Sequence, residues 1–572
     1  MKLIDRKGLY VLAILILSAT TLSQTKALNV PETSSFAIEP GKMFSASTGK
    51  KAAKPKVSAI APSTASLVSD IAEAIAVIKS KHSGDANADA LAAASINEML
   101  RSLDPHSKFY DRAKFAELRG EHQSEYYGTG LTIAEYDVEG KKAVYIIATT
   151  PNTSASEAKL RFGDRITAIN GKAVEGLDST AVRQLIRGPL GSTVQLRIDR
   201  ADTLASEIVT LKRGRISQPT VADAFKLSEK TGYIALTGGF SFTTAAEFGA
   251  ALEELKLSGI DSLVIDMRGN GGGIFEQAVE IAEYFLPAGA KIVSQRTRSD
   301  GNEQVWRSAN HQPDTMPLVV IVDGGTASAS EIVAGALQDN DRAVIVGERT
   351  FGKGLVQSVV ELPTGSGIAL TTARYYTPAG RSIQRDYADT GLYDYFKHTK
   401  QAAVIGSSEN AVRTVTGRPV FGGDGIAPDV PVKQPPIVSN AIETHDLAFS
   451  FIRDAANGRN AYAGLSGQAF TEEIRRRILF GEDPVDDQML NDFVNRYGRE
   501  LDREVARRAL RYNIGLAAFG FDGAERLRIS DDLAVVTAVD SIPSSKVLFK
   551  AAADARGHKN TRRATTPAGI NR

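Results

Sequence analysis

Apolar residues recur along this chain with different periods, and the changes of period divide it. From Leu67 to Leu103 they fall at helical spacing, with Leu67, Ile71, Ile75 and Ile78 on one face, which predicts an amphipathic helical segment over 67–114. LDPHSKFYD (Leu103–Asp111) ends that pattern, because an Asp-Pro step disfavours helix. From 115 to 213 short runs predict a small β-rich domain with strands at Leu131–Ala134, Ala143–Ile147, Arg165–Ile169, Val194–Ile198 and Ile208–Leu211. Asn170-Gly171 signals a hairpin turn, Ser154–Glu157 reads as a capping box opening one short helix, and Ser179–Ile186 fits a second.

From 214 to 437 strands alternate with helices. Strands are expected at Gly232–Leu236, Ser262–Asp266, Leu318–Val322, Ala343–Val346, Leu355–Leu362 and Ile368–Arg374, with helices at Thr244–Leu257 and Phe275–Phe285. That order predicts an α/β layered core. Residues 438–552 return to a charged helical pattern, clearest over Glu500–Phe519, and 553–572 are basic and read as disordered.

Composition narrows the function. A chain of 572 residues exceeds a single core, and 42% apolar with 24% charged residues is ordinary for a globular protein. A net charge of +1 argues against a dedicated nucleic-acid binder. The chain has no cysteine, which removes disulfides, thiolate metal sites and a cysteine nucleophile together. Residues 1–27 read as a signal peptide or membrane anchor: Lys2, Arg6 and Lys7 precede the apolar run Leu9–Leu17. That run falls short of the ~20 apolar residues a spanning helix needs. Residues 28–66 read as a flexible linker. Export to the periplasm or cell envelope, with membrane association through the N-terminal segment, is the expectation.

Chemistry concentrates in Thr326–Gln357. Ser328 stands at the mouth of a predicted helix, and Lys353 lies between two glycines. A hydroxyl needs a base to become a nucleophile, and a lysine serves as one where its surroundings lower its pKa. Gly347–Gly354 nearly matches a phosphate-binding loop, but Gly354 stands where Ser or Thr should hold magnesium, and the strand-like Leu355–Val360 follows where a helix should open. Arg268-Gly-Asn-Gly-Gly-Gly273 resembles a dinucleotide fingerprint with Ile274 in place of its third glycine. The same geometry can stabilise an oxyanion, with the Ala329 N–H beside that of Gly272. On these grounds Ser328 and Ser330 remain equal candidates for an ordinary helix cap or a nucleophile. No His, Asp or Glu pair shows zinc-ligand spacing, His106 in LDPHS reads as a local structural residue, and no cofactor is expected.

Tyr127-Gly-Thr-Gly-Leu-Thr-Ile133, RFGDRITAINGKAV (Arg161–Val174) and LIRGPLGSTVQLRI (Leu185–Ile198) resemble a PDZ domain. Gly128, Thr129, Gly130 and Leu131 would then bind a peptide carboxylate through backbone N–H groups. Residues 326–357, with IDMRGNGGG (265–273), LDPHS (103–107) and TTARYYTPAGRSIQ (371–384), resemble the carboxy-terminal processing (tail-specific) serine peptidases. The resemblance implies Ser328 as nucleophile, Lys353 as general base and Gln357 as its orienting partner. It implies Gly272 and Ala329 as oxyanion hole, with Glu331 and Asp339 as supporting acids. It further implies a crotonase-like α/β spiral core with an inserted PDZ domain, substrates with free C-termini, and a homodimer. Gly271 departs from a frequent proline, and residues 386–420 interrupt the usual short path from SIQ to GIAPDV (Gly425–Val430). The rival reading is a catalytically inactive PDZ-containing scaffold.

Overall fold

A computed structural model of the chain describes residues 64–298, 303–387, 392–397, 411–433, 441–460, 462, 464–498 and 501–564. The signal or anchor segment, most of the linker and part of the 386–420 insertion lie outside these.

The core is a six-stranded sheet in the order Asp223–Lys226, Thr231–Ala235, Ser262–Asp266, Leu318–Val322, Val344–Gly347 and Val430–Pro431. The first strand is antiparallel and the rest run parallel. Strands buried on both faces read as continuous apolar runs, which is why SLVID and LVVIV stand out in the sequence. Their side chains alternate between two cores. Ile234, Leu263, Ile265, Val320 and Val322 join helices Thr244–Leu257, Phe275–Glu283 and Ala329–Asp339. Tyr233, Val264, Val319, Ile321 and Val346 face Ile529, Ala534, Val535 and Ala538.

Those last residues come from the C-terminal region, so its helices Leu533–Asp540 and Ile542–Ala564 supply the second cover that a parallel sheet needs. The final helix continues past Ala553, where the sequence pattern suggested order would end. Other parts of the region reach the β-rich domain: Phe449 stacks on Tyr136 with ring centroids 3.6 Å apart. The helix Arg503–Ile529 bends at Gly520 (φ 78°) between those two attachments.

The β-rich domain forms a sheet ordered Leu131–Val138, Lys141–Thr149, Arg165–Ile169, Thr193–Asp199 and Ser206–Lys212, with Lys172–Ala173 pairing Arg165–Ile169. Asn170 (φ 49°) and Gly171 (φ 78°) make the expected hairpin turn. The capping box falls one residue earlier than predicted, with Thr153 as N-cap and Ser156 completing it. Leu131–Val138 is an edge strand, and the helix Ser179–Ile186 lies against it.

A second sheet escaped the sequence reading in part. Gly367–Tyr376 pairs with Leu355–Glu361 along one edge, and with Lys108–Tyr110 and Lys291–Thr297 along the other. Glu303–Arg307 completes it. The N-terminal pattern is two helices, Thr64–Lys81 and Ala88–Arg101, followed by a third at Arg112–His122.

Candidate active site

Three neighbouring parallel strands end on the same side of the core sheet, and each feeds a loop of the site. Ser262–Asp266 leads into Arg268–Gly273, Leu318–Val322 into Gly324–Ser328, and Val344–Gly347 into Arg349–Lys353. Loops at the carboxyl ends of adjacent parallel strands are brought together by topology alone. Hydrogen bonds then lock them. Asp323 Oδ1 accepts from the N–H groups of Gly269 (2.8 Å) and Gly325 (2.9 Å). The Ala327 N–H donates to Asn270 O at 2.9 Å, and the Phe351 N–H to Thr326 O at 2.9 Å. Beneath the glycine loop, Arg268 is clamped between Asp266 (2.6 Å) and Asp532 (2.8 Å), the latter from the C-terminal region.

Ser328 occupies the elbow between strand and helix with φ 58° and ψ −119°. A non-glycine residue there stores roughly 1–3 kcal/mol of backbone strain, a feature of nucleophile elbows. Its side chain is half-buried. Ser330 is fully buried and donates its hydroxyl to Asn270 O at 3.0 Å. The geometry therefore separates two serines that local sequence left equal: one is presented, the other is spent on structure.

Gly272 lies directly against this elbow. With φ 90°, a Cβ at that position would sit 2.7 Å from Ala327 O and 2.8 Å from both Ala329 N and Ser328 Cβ, so only glycine fits. The Ala329 N–H is at the first helical position, where no intrahelical acceptor exists. The Gly272 N–H is engaged, donating to Asn270 Oδ1 at 2.9 Å. Of the two expected oxyanion donors, one is thus committed to its own loop in this state.

Lys353 Nζ donates to Gln357 Oε1 at 2.8 Å. It makes no hydrogen bond to Ser328 Oγ. Burial pushes the lysine down to about 8, while the charges of Glu331 and Asp104 pull the other way. Catalytic hydrogen bonds commonly tighten only in the substrate complex.

Glu331 is fully buried and holds the Ser328 and Lys353 loops together. Its Oε1 accepts from Thr350 Oγ1 (2.6 Å) and the Gly352 N–H (2.8 Å). Its Oε2 accepts from the N–H groups of Ser328 (2.8 Å) and Lys353 (2.9 Å). The Thr350 hydroxyl is itself an acceptor for the Ile426 N–H, so its own hydrogen points to Glu331. All four lone-pair directions of the carboxyl are filled by donors, which leaves no place for a proton. Burial raises this group to about 7 against the hydrogen bonds that hold it down, and the donor count assigns the anion. Asp339, at the other end of the same helix, is elsewhere: it pairs with Arg381 at 2.7 Å and accepts from the Ala379 N–H.

Two contributors were not assigned from sequence. Tyr375 OH bonds the carbonyls of both Ser328 (2.9 Å) and Lys353, fixing the spacing of the two loops. LDPHS forms the local turn its sequence suggests, with Asp104 capping it through the N–H groups of His106 and Ser107, both at 2.8 Å. Yet the turn also packs beside Lys353, whose charge, after burial, is the second cause holding His106 well below its ordinary pKa. The motifs containing these residues were visible; their convergence was not.

In the β-rich domain, Gly130 (φ 82°) admits no side chain, because a Cβ would lie 2.2 Å from Thr153 Oγ1. The Thr129 carbonyl accepts from the Ala155 N–H at 3.1 Å, turning the Gly128–Leu131 backbone beside the edge strand. The Thr129 hydroxyl is buried without a partner.

Comparison with known proteins places this geometry. A sequence profile described as "Peptidase family S41" matches residues 230–392 and one described as "PDZ domain" matches 119–199. The chloroplastic C-terminal processing peptidase of Tetradesmus obliquus is 37% identical over 306 residues, covering 51% of this chain and 65% of that protein. The carboxyl-terminal-processing protease of Synechocystis is 37% identical over 295 residues, 51% of this chain and 68% of that one. The carboxy-terminal processing protease CtpB of Bacillus subtilis is 33% identical over 342 residues, 58% and 70% respectively. The chain thus spans about two thirds of the length of these relatives. Among solved structures, a photosystem II D1 C-terminal processing protease is 30% identical, covering 65% of this chain and 90% of that one with a TM-score of 0.33. The chain belongs to peptidase family S41, the carboxyl-terminal-processing proteases, and carries a PDZ domain.

Proposed function

We propose that this protein is an exported endopeptidase that holds a substrate's free C-terminus on its PDZ domain and cuts upstream with Ser328 and Lys353. The observation that carries this reading is one constellation: a strained, presented serine and a lysine whose backbone N–H groups share Glu331 Oε2, the lysine amine being held by Gln357 and lowered to about 8 by burial. Neutral Lys353 takes the Ser328 proton as Oγ attacks the scissile carbonyl carbon. The Ala329 N–H receives the developing oxyanion, joined by Gly272 once that N–H turns from Asn270. Collapse breaks the C–N bond, and Lys353 returns its proton to the leaving amine. Water then attacks the Ser328 ester with the lysine again as base.

Support for C-terminus recognition comes from the PDZ match and from the Gly128–Leu131 turn beside an open sheet edge, where a peptide can add as a strand. The test is paired quenched peptides identical except for a free or amidated C-terminus. The free acid should be cleaved with at least about tenfold higher kcat/KM, as loss of one charged hydrogen-bonded group implies. Equal rates contradict the recognition step, and no cleavage of either contradicts the peptidase step.

Periplasmic location and N-terminal membrane association rest on residues 1–27 alone. Among the described residues no helix is long and apolar enough to cross a membrane. Homodimerisation is supported by the exposed apolar side chains Leu67, Val68, Ile71, Val77 and Ile78 on one N-terminal helix. Light scattering of the purified protein, with and without Ile71→Lys, tests it; a monomeric mass for the unsubstituted protein excludes it. The division at 67–114, 115–213, 214–437 and 438–552 is retained as a proposal about sequence units.

A further inference from the structure

The segment that interrupts the path from SIQ to GIAPDV brings a short helix, Leu392–Lys397, onto the catalytic loops. Its Tyr395 is 1% exposed and packs in one apolar cluster with Ala327, the neighbour of Ser328, and Phe351, two residues before Lys353. Tyr395 and Phe396 also stand edge-on to the His106 ring, at centroid distances of 5.5 and 5.9 Å.

The polar groups of this wall form a directed chain. The Gly354 N–H, next to Lys353, donates to Gln384 Oε1 at 2.8 Å, which fixes the orientation of that amide. Gln384 Nε2 donates to Tyr395 OH at 3.2 Å. The phenol, kept protonated by burial, passes its hydrogen to His106 Nε2 at 2.8 Å. That assigns a neutral His106 with its proton on Nδ1. The chain starts beside Lys353 and ends on the turn whose His106 and Asp104 feel its charge, so Tyr395 links two segments that flank the lysine.

We propose that Tyr395 is a positioning residue, through which the inserted helix seals the chamber of Lys353 by holding His106 and Gln384 in place. The proposal rests on the assignment of Lys353 as base. The Lys353 amine is faced by Glu331 from the helix Ala329–Asp339, by Asp104 and His106 from the LDPHS turn and by Gln357 from the following strand, while Tyr375 from Gly367–Tyr376 bonds its backbone carbonyl. Two of these are carboxylates that favour the protonated amine, so exclusion of water is what keeps it down. Removing the Tyr395 ring admits water to the chamber and raises the lysine.

The experiment measures the rate of Ser328 labelling by a fluorophosphonate against pH in the full chain, for wild type, Tyr395→Phe, Tyr395→Ala and Lys353→Ala. In Tyr395→Ala the acid limb should move up by at least about one pH unit, a loss of about tenfold near pH 7 that alkaline pH restores. Tyr395→Phe, which keeps the ring and its volume, should shift less in the same direction. A wild-type midpoint in the alanine variant overturns the proposal, as does a loss that high pH fails to restore. Should the alanine variant not fold, the phenylalanine variant decides by the same two outcomes. Unchanged labelling in Lys353→Ala would instead overturn the underlying assignment of the base.

Discussion

Lys353→Met should leave the protein folded and its Ser328 all but unreactive, with labelling reduced about 100- to 10,000-fold, the range a positioned general base supplies. It should also change how stability depends on pH. The native lysine sits at about 8 against its ordinary 10.5, so the unfolded chain binds the extra proton between those values. Stability is therefore penalised below pH 8 and recovers as pH rises toward 10.5. Wild type should gain about 2–3 kcal/mol relative to Lys353→Met between pH 7 and 10. Parallel stability curves for the two proteins would show that the lysine is solvated in the native state. The proposed base is thus maintained at a cost in stability, a usual trade in enzymes.

Glu331→Gln carries the second large effect. The amide matches the carboxylate in shape but presents two hydrogens where the site offers four donors. Whichever way it turns, two N–H or O–H groups of the catalytic loops face another donor inside a fully buried site. A destabilisation of about 3–5 kcal/mol is expected, comparable to breaking a buried charged network. The damage should not stop at stability. Glu331 bonds the N–H groups of Ser328 and Lys353 at once, so losing it releases both the elbow and the base loop. Labelling should fall at least about 100-fold in the protein that remains folded, as misplacement by an ångström can cost. A Glu331→Gln variant with wild-type melting and labelling would show that the carboxyl is protonated or dispensable.

How far these features could be read from sequence differed by element. Strands covered on both faces, such as Ser262–Asp266 and Leu318–Val322, were legible because burial writes them as unbroken apolar runs. The hairpin Lys291–Thr297 and Glu303–Arg307 was not, since polar residues interrupt both strands. The break at His82–Asn87 between the first two helices is the other element missing from that reading, although its polar, glycine-containing HSGDAN and the Asn87 N-cap are the signals that mark it. The C-terminal helices showed amphipathic faces, but periodicity cannot say which surface such a face covers, and theirs covers the core sheet and the PDZ sheet.

The site divides the same way. Ser328, Lys353 and Gly272 lie in three glycine-containing loops, with Ala329, Glu331 and Gln357 in the elements that follow two of them; their chemistry is local, and the structure brings them together. What was not legible is contact across long separations. Asp532 reaches Arg268 over 264 residues and Tyr395 reaches His106 over 289. Asp339, an acid in the right helix, points to Arg381 instead, because its position near the helix end places it about 12 Å along the axis from Glu331. Gly272 adds a finer point: its place was readable, but the engagement of its N–H by Asn270 was not.

The most direct test of a serine activated by this lysine is the pH dependence of Ser328 labelling in wild type and Lys353→Ala side by side. Wild type should follow a single ionisation near pH 8, with about a tenth of the limiting rate at pH 7, as the lysine at about 8 dictates. Lys353→Ala should be slow and lose that inflection. An inflection near pH 8 that survives in Lys353→Ala would contradict the account, because some other group would then be the base.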